Sequence, residues 1–183
     1  MKFKTARQCI HDAFSIQLGT PSMDNSTGSR GTKFDADVAI FNGVKAGVVI
    51  SATLKQDPHL RGTAIVLNAP VPFVQEVDSR DMRRKVWSEF ISKNSDISPA
   101  DQGDLVCALD KIIYGYRSRA WNPRSISYSI DSLFSGGTKK EARLIEYAKK
   151  IETILGNFDS DSLQPIWHVI AEQKEAMIDE GSY

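Results

Sequence analysis

Two runs of alternating apolar residues flank Asn42-Gly43, and no other feature constrains the fold of this chain as strongly. Phe34, Ala36, Val38 and Ile40 alternate with Asp35, Asp37 and Ala39. Val44, Ala46, Val48, Ile50, Ala52 and Leu54 form a second alternating series after the glycine. A period of two marks a half-buried strand. A two-residue turn would place the two series on opposite faces. A three-residue loop, Phe41-Asn42-Gly43, pairs Ile40 with Val44 and puts both on one face, with Gly43 as the left-handed residue of a bulged turn. Gln56-Asp57-Pro58-His59 makes the next turn. Residues 62–69 read as a third strand, apolar on both faces and limited by Pro70 and Pro72.

Helical periodicity governs the rest. Ala6, Cys9, Ile10, Ala13 and Phe14 mark a helix over 3–17, ended by Gly19 and Pro21. Residues 80–93 carry Met82, Val86, Trp87, Phe90 and Ile91 inward. Ser98-Pro99-Ala100-Asp101 is a helix start, with a capping serine, proline in the first turn and an acid at the third position. It leads into Leu105, Leu109, Ile112, Ile113 and Tyr116, and Asn122-Pro123 closes that helix. Residues 124–134 fit both periods and are assigned as helix. Thr138 and Glu141 form a capping box before Leu144, Ile145, Ala148 and Ile151, with Gly156 as the expected stop. A last helix is expected from about 161 to 179. The expected fold is therefore α+β: an N-terminal helix and a three-stranded antiparallel β-meander in residues 1–76, packed with a multi-helix region in 77–183.

Composition sets wide bounds. Hydrophobic residues make up 41% of the 183 positions and charged residues 25%, which argues against wholesale disorder. A chain near this size buries about 70% of its unfolded surface and needs no disulfide or metal staple. Cys9 and Cys107 have no paired framework and read as small core residues of a reduced, cytoplasmic protein. His11, His59 and His168 are scattered, so no local zinc site is expected, and no cofactor motif is present. The longest aliphatic run, Ala64-Ile65-Val66-Leu67, is far too short for a membrane span, and the basic N-terminus lacks the apolar core of a secretory signal.

The formal charge of zero conceals a sharp division. Residues 111–150 carry nine basic and three acidic side chains, net +6, and residues 151–183 carry one basic and seven acidic, net −6. Arg117, Arg119 and Arg124 surround Trp121, and Lys139, Lys140 and Arg143 open the helix after Ser135-Gly136-Gly137. Helix, turn and capped helix match the outline of a helix-turn-helix, in which early residues of the second helix reach the nucleic acid. Lysines at a helix N-terminus oppose the helix dipole, yet exposed backbone N–H groups there favour an anion. Trp121 is the aromatic placed for stacking. The competing reading is a solvated basic face neutralised by Glu172, Glu175, Asp179 and Glu180 of the last helix.

Two family resemblances bear on the first half. Asp35-Ala36-Asp37, a turn, and Ser51-Ala52-Thr53-Leu54-Lys55 resemble the hairpin of PD-(D/E)xK nucleases, which implies a Mg²⁺ site on the aspartates. Thr53 stands where that pattern has a carboxylate, so the resemblance implies an inactive relative. The order helix, three strands, helix is similar to that of double-stranded RNA-binding domains. Arg80-Asp81-Met82-Arg83-Arg84-Lys85 follows the sheet without that family's glycine-serine-lysine run, and those cations read as a solvated helix face. No catalytic motif assembles. The expected function is a small non-catalytic protein that recognises nucleic acid or a nucleoprotein complex through Arg117, Arg119, Trp121, Arg124, Lys139, Lys140 and Arg143. The alternatives are a protein-interaction module (an inhibitor, adaptor or self-assembling subunit) and a nuclease-like fold.

Overall fold

Apolar residues spaced three and four apart, rather than two, turn out to direct every described segment. The computed structural model describes residues 2–19, 40, 44–122, 130–134 and 137–180, and among these no strand or sheet occurs. The helices are α1 (Lys2–Gly19), α2 (Ala46–Leu54), α3 (Pro58–Asn68), α4 (Glu76–Lys93), α5 (Pro99–Trp121) and α6 (Lys139–Glu180). One-turn 3₁₀ helices lie at Val71–Phe73 and Ile130–Phe134.

The expected meander is overturned. Its second strand is α2, whose buried positions are Ala46, Val49, Ile50 and Thr53. That spacing of three, four and seven is one helix face. In Ala46-Gly-Val-Val-Ile-Ser-Ala-Thr-Leu54 almost every residue is small or apolar, so both periods can be read, and burial chooses between them. Leu54, inward in the strand reading, is 49% exposed. The third strand is α3. Pro58 stands in its first turn after Asp57, and every residue from Gly62 to Asn68 is buried. A helix enclosed on all sides looks apolar on both faces of an imagined strand. The first expected strand and its turn, residues 34–39 and 41–43, lie outside the described residues, as do Asp35 and Asp37. With Ser51–Leu54 helical, the nuclease-like hairpin has lost its second strand.

Two further boundaries differ. The separate helices expected on either side of Gly156 are one helix, α6, which contains Gly156 and Pro165. Gly156 is no stop. It lies against Tyr116, whose Oη would be 3.6 Å from a Cβ built there. Of the helix expected over 124–134, residues 130–134 form a 3₁₀ turn, and 123–129 lie outside the described residues.

The chain divides into two units, one made of Met1–Ser79 and Asp159–Tyr183, the other of Arg80–Phe158. In the first unit, Ala6, Cys9, Ile10, Ala13 and Phe14 of α1 join Ala46, Val49 and Ile50 of α2, Ala64 and Ile65 of α3, and Leu163, Ile166 and Ile170 of α6 in one core. Phe14 meets Phe73 edge-on at 5.5 Å. In the second unit the buried positions are Met82, Val86 and Phe90 of α4, Leu105, Leu109, Ile112 and Ile113 of α5, and Leu144, Ala148, Ile151 and Leu155 of α6. Phe90 contacts Trp87 at 5.5 Å and Tyr147 at 5.8 Å. Cys9 is buried as expected, whereas Cys107 is exposed on α5.

Candidate functional site

Several cations of the Arg80–Phe158 unit are paired with carboxylates of the same unit. Two helix starts place the first of them. Ser98 Oγ accepts from the Asp101 backbone N–H at 3.1 Å and opens α5. At α6 the capping box closes in both directions: Thr138 N donates to Glu141 Oε2 at 2.8 Å, and Glu141 N donates to Thr138 Oγ1 at 3.2 Å. These caps orient the early turns of both helices. Lys140 Nζ then lies 2.6 Å from Asp104 Oδ2, and Arg143 Nη2 lies 2.8 Å from Asp101 Oδ2 and 3.1 Å from Oδ1.

The two pairs differ in kind. Lys140 and Asp104 are both about half exposed, whereas the Asp101 side chain is 3% exposed and Arg143 covers it. The hydrogen bond from Arg143 holds the Asp101 carboxyl below its ordinary value against the opposing effect of desolvation, and Ser98 adds to the lowering. The same bond raises Arg143, and the Asp104 hydrogen bond raises Lys140. The backbone N–H of Thr138 lowers Glu141.

The described candidate residues of α5 and α6 have different surroundings. Arg119 pairs with Glu152, nine residues beyond Arg143 on α6, or about 13 Å along the helix axis. Arg117 is half-buried, and desolvation lowers its pKa. Trp121, the last residue of α5, is also half-buried. Arg124 lies outside the described residues. Lys139 is exposed with no ion pair among the described residues. Lys149 meets Asp131 at 3.1 Å, and Lys150 meets Glu146 at 3.5 Å and Asn94 Oδ1 at 3.2 Å. Among the described residues, the carboxylates that pair with these cations are Asp101, Asp104, Asp131, Glu146 and Glu152. Glu172 is exposed, and the side chains of Glu175, Asp179 and Glu180 are outside the described residues.

A cleft of about 490 Å³ opens between α5, the Ile130–Phe134 turn and the start of α6, with Cys107, Lys111, Leu133, Phe134 and Lys140 in its walls. Sequence reasoning passed over Lys111, which is exposed and has no ion pair among the described residues. It also passed over Tyr114, 70% exposed, and the Arg83–Asp110 pair at 2.8 Å. Their signal was available. Val106, Cys107, Asp110, Lys111 and Tyr114 are the complement of the apolar stripe on α5. Among the described residues no group of three or more His, Cys, Asp or Glu side chains is arranged to hold a metal ion. No described helix is long and apolar enough to cross a membrane. No protein-family model, curated protein or solved structure matches the chain.

Proposed function

We propose that the chain is a non-catalytic binding protein whose Arg80–Phe158 unit contacts nucleic acid, alone or within a nucleoprotein complex, through phosphate oxygens. One observation carries the reading. Residues 80–158 hold fourteen basic and ten acidic side chains, net +4, while the remaining residues hold nine and thirteen, net −4. The basic excess belongs to one unit, and Lys139, Lys140 and Arg143 are exposed in the first two turns of α6. The positive end of the helix dipole adds to their field. The exposed Lys140–Asp104 pair contributes little, because solvent and salt screen it, so phosphate can displace Asp104. Such contacts position a protein on its target and carry little sequence information.

The test is fluorescence anisotropy with labelled duplex DNA, single-stranded DNA and RNA. With three or four phosphate contacts, duplex affinity should fall roughly 40- to 150-fold between about 50 and 200 mM salt. Lys139→Glu/Lys140→Glu should abolish binding. Arg143 is left intact because its loss would strand the buried Asp101 carboxylate. Salt-independent binding, or an unaffected double variant, overturns the proposal.

The opposite net charges of the two units favour a second reading, head-to-tail self-association. In that case the mass rises with protein concentration at low salt, and no nucleic-acid probe binds.

A further inference from the structure

Tyr114 is the one exposed Phe, Tyr or Trp among the described residues, at 70% of its full accessibility. A phenol ring on a convex helix surface gains nothing from folding, so its surroundings indicate what it meets. Those surroundings are cationic. Lys111 lies one turn earlier on α5, exposed and with no ion pair among the described residues. Arg117 lies one turn later, close enough for the two side chains to interact electrostatically. Asp110, four residues before the ring and on its face of the helix, binds Arg83 of α4 at 2.8 Å. That contact brings an exposed basic stretch, Arg80, Arg83 and Arg84, to the same side of the unit.

We infer that Tyr114 is a stacking platform for an unpaired base, with Lys111, Arg83 and Arg84 holding the phosphates on either side. This inference rests on the nucleic-acid reading above and narrows its target to single strands. Every nucleobase has a π-face, and an aromatic ring set in a basic surface is the recurring device for binding single strands with little sequence preference. A duplex keeps its base faces stacked on one another and offers this ring none. An anionic peptide would satisfy the cations but would leave the exposed ring without a planar partner.

The experiment compares labelled strands of about 15 nucleotides: thymidine DNA, uridine RNA, an abasic DNA strand and a DNA duplex. The variants are Tyr114→Ala, Tyr114→Phe and Tyr114→Leu, beside Lys139→Glu/Lys140→Glu. The ring is exposed, so none of the Tyr114 variants disturbs the core. Tyr114→Ala and Tyr114→Leu should weaken binding of the base-bearing strands roughly 5- to 150-fold, with Tyr114→Phe close to the parent. On the abasic strand the parent and the three Tyr114 variants should bind equally. DNA and RNA arms that both lose affinity in Tyr114→Ala place recognition in the base face that the two strands share. If Tyr114→Ala leaves single-strand affinity unchanged while Lys139→Glu/Lys140→Glu abolishes it, the inference falls and the broader reading stands. If the parent binds no probe, both fall.

Discussion

Arg7 Nη2 on α1 donates to Asp159 Oδ2 on α6 at 2.6 Å, and the two residues are 152 positions apart in sequence. Their side chains are 11% and 3% exposed. Arg7 also donates from Nη1 to Asn68 Oδ1 at the end of α3, and Asn68 Nδ2 lies 3.5 Å from Asp159 Oδ1. Ser162 Oγ donates to the Asp159 carbonyl at 2.8 Å. The first and last helices of one unit thus meet at a buried charge pair, with the third helix satisfying its remaining atoms. Such a pair adds little net stability over an apolar pair, but it penalises every other register of the helices that supply it.

Asp159→Ala leaves the Arg7 guanidinium buried and unpaired, and about 3–5 kcal/mol of unfolding free energy should be lost. Arg7→Met combined with Asp159→Leu should recover much of that loss, because no charge is then stranded. Urea titration of the single and double variants reads both values. A double variant no more stable than Asp159→Ala would show that the pair matters for its shape rather than its charge.

Two helical glycines should respond in opposite directions. A Cβ at Gly62 would overlap the Asp78 carbonyl oxygen and lie 3.2 Å from its carbon. Backbone cannot step aside as a side chain can, so Gly62→Ala should destabilise by roughly 1–3 kcal/mol. At Gly103 a Cβ meets nothing within 4 Å. Gly103→Ala should stabilise α5 by about 0.5–1 kcal/mol. Thermal midpoints of the two variants should move apart.

Asp101 has its folded pKa depressed, chiefly by Arg143. Its stabilising contribution is therefore complete above the unfolded value of about 3.9 and is lost as pH falls through the lower folded value. Glu141, lowered by the Thr138 backbone N–H, adds to the same acid limb. Lys140 is raised, so its contribution holds up to the unfolded value near about 10.4 and is lost above it. Asp101→Asn should lower the thermal midpoint at neutral pH and converge with the parent as pH falls through the depressed folded value. A constant offset across that range would contradict the assignment.

Cys107 is exposed and Cys9 buried. In the native protein a thiol reagent should modify Cys107 rapidly and reach Cys9 only on unfolding. Cys107→Ser should remove the fast phase and leave the slow one.

Local chemistry was legible wherever its causes lie within a few residues. Ser98 capping Asp101 N–H, Thr138 paired with Glu141, and the inward stripes of α1, α4 and α5 all follow from short-range hydrogen bonding and helical period. The concentration of positive charge in residues 111–150 was equally plain, whereas Lys111 and Tyr114, on the face of α5 opposite its apolar stripe, were passed over. Other features had two local readings each. Residues 46–54 satisfy both a period of two and a helix face, Gly156 can end a helix or admit Tyr116, and Lys140 can face solvent, phosphate or Asp104.

The sequence by itself determined the caps, the apolar stripes and the sum of charges, because a hydrogen bond to a neighbouring turn and a side chain's polarity do not depend on distant partners. Tertiary structure decided that α2 and α3 are helices, that Asp101 answers Arg143 and Asp104 answers Lys140, and that Arg7 meets Asp159. Those outcomes depend on which surfaces share a core, and burial is settled among residues that the chain brings together only when it folds.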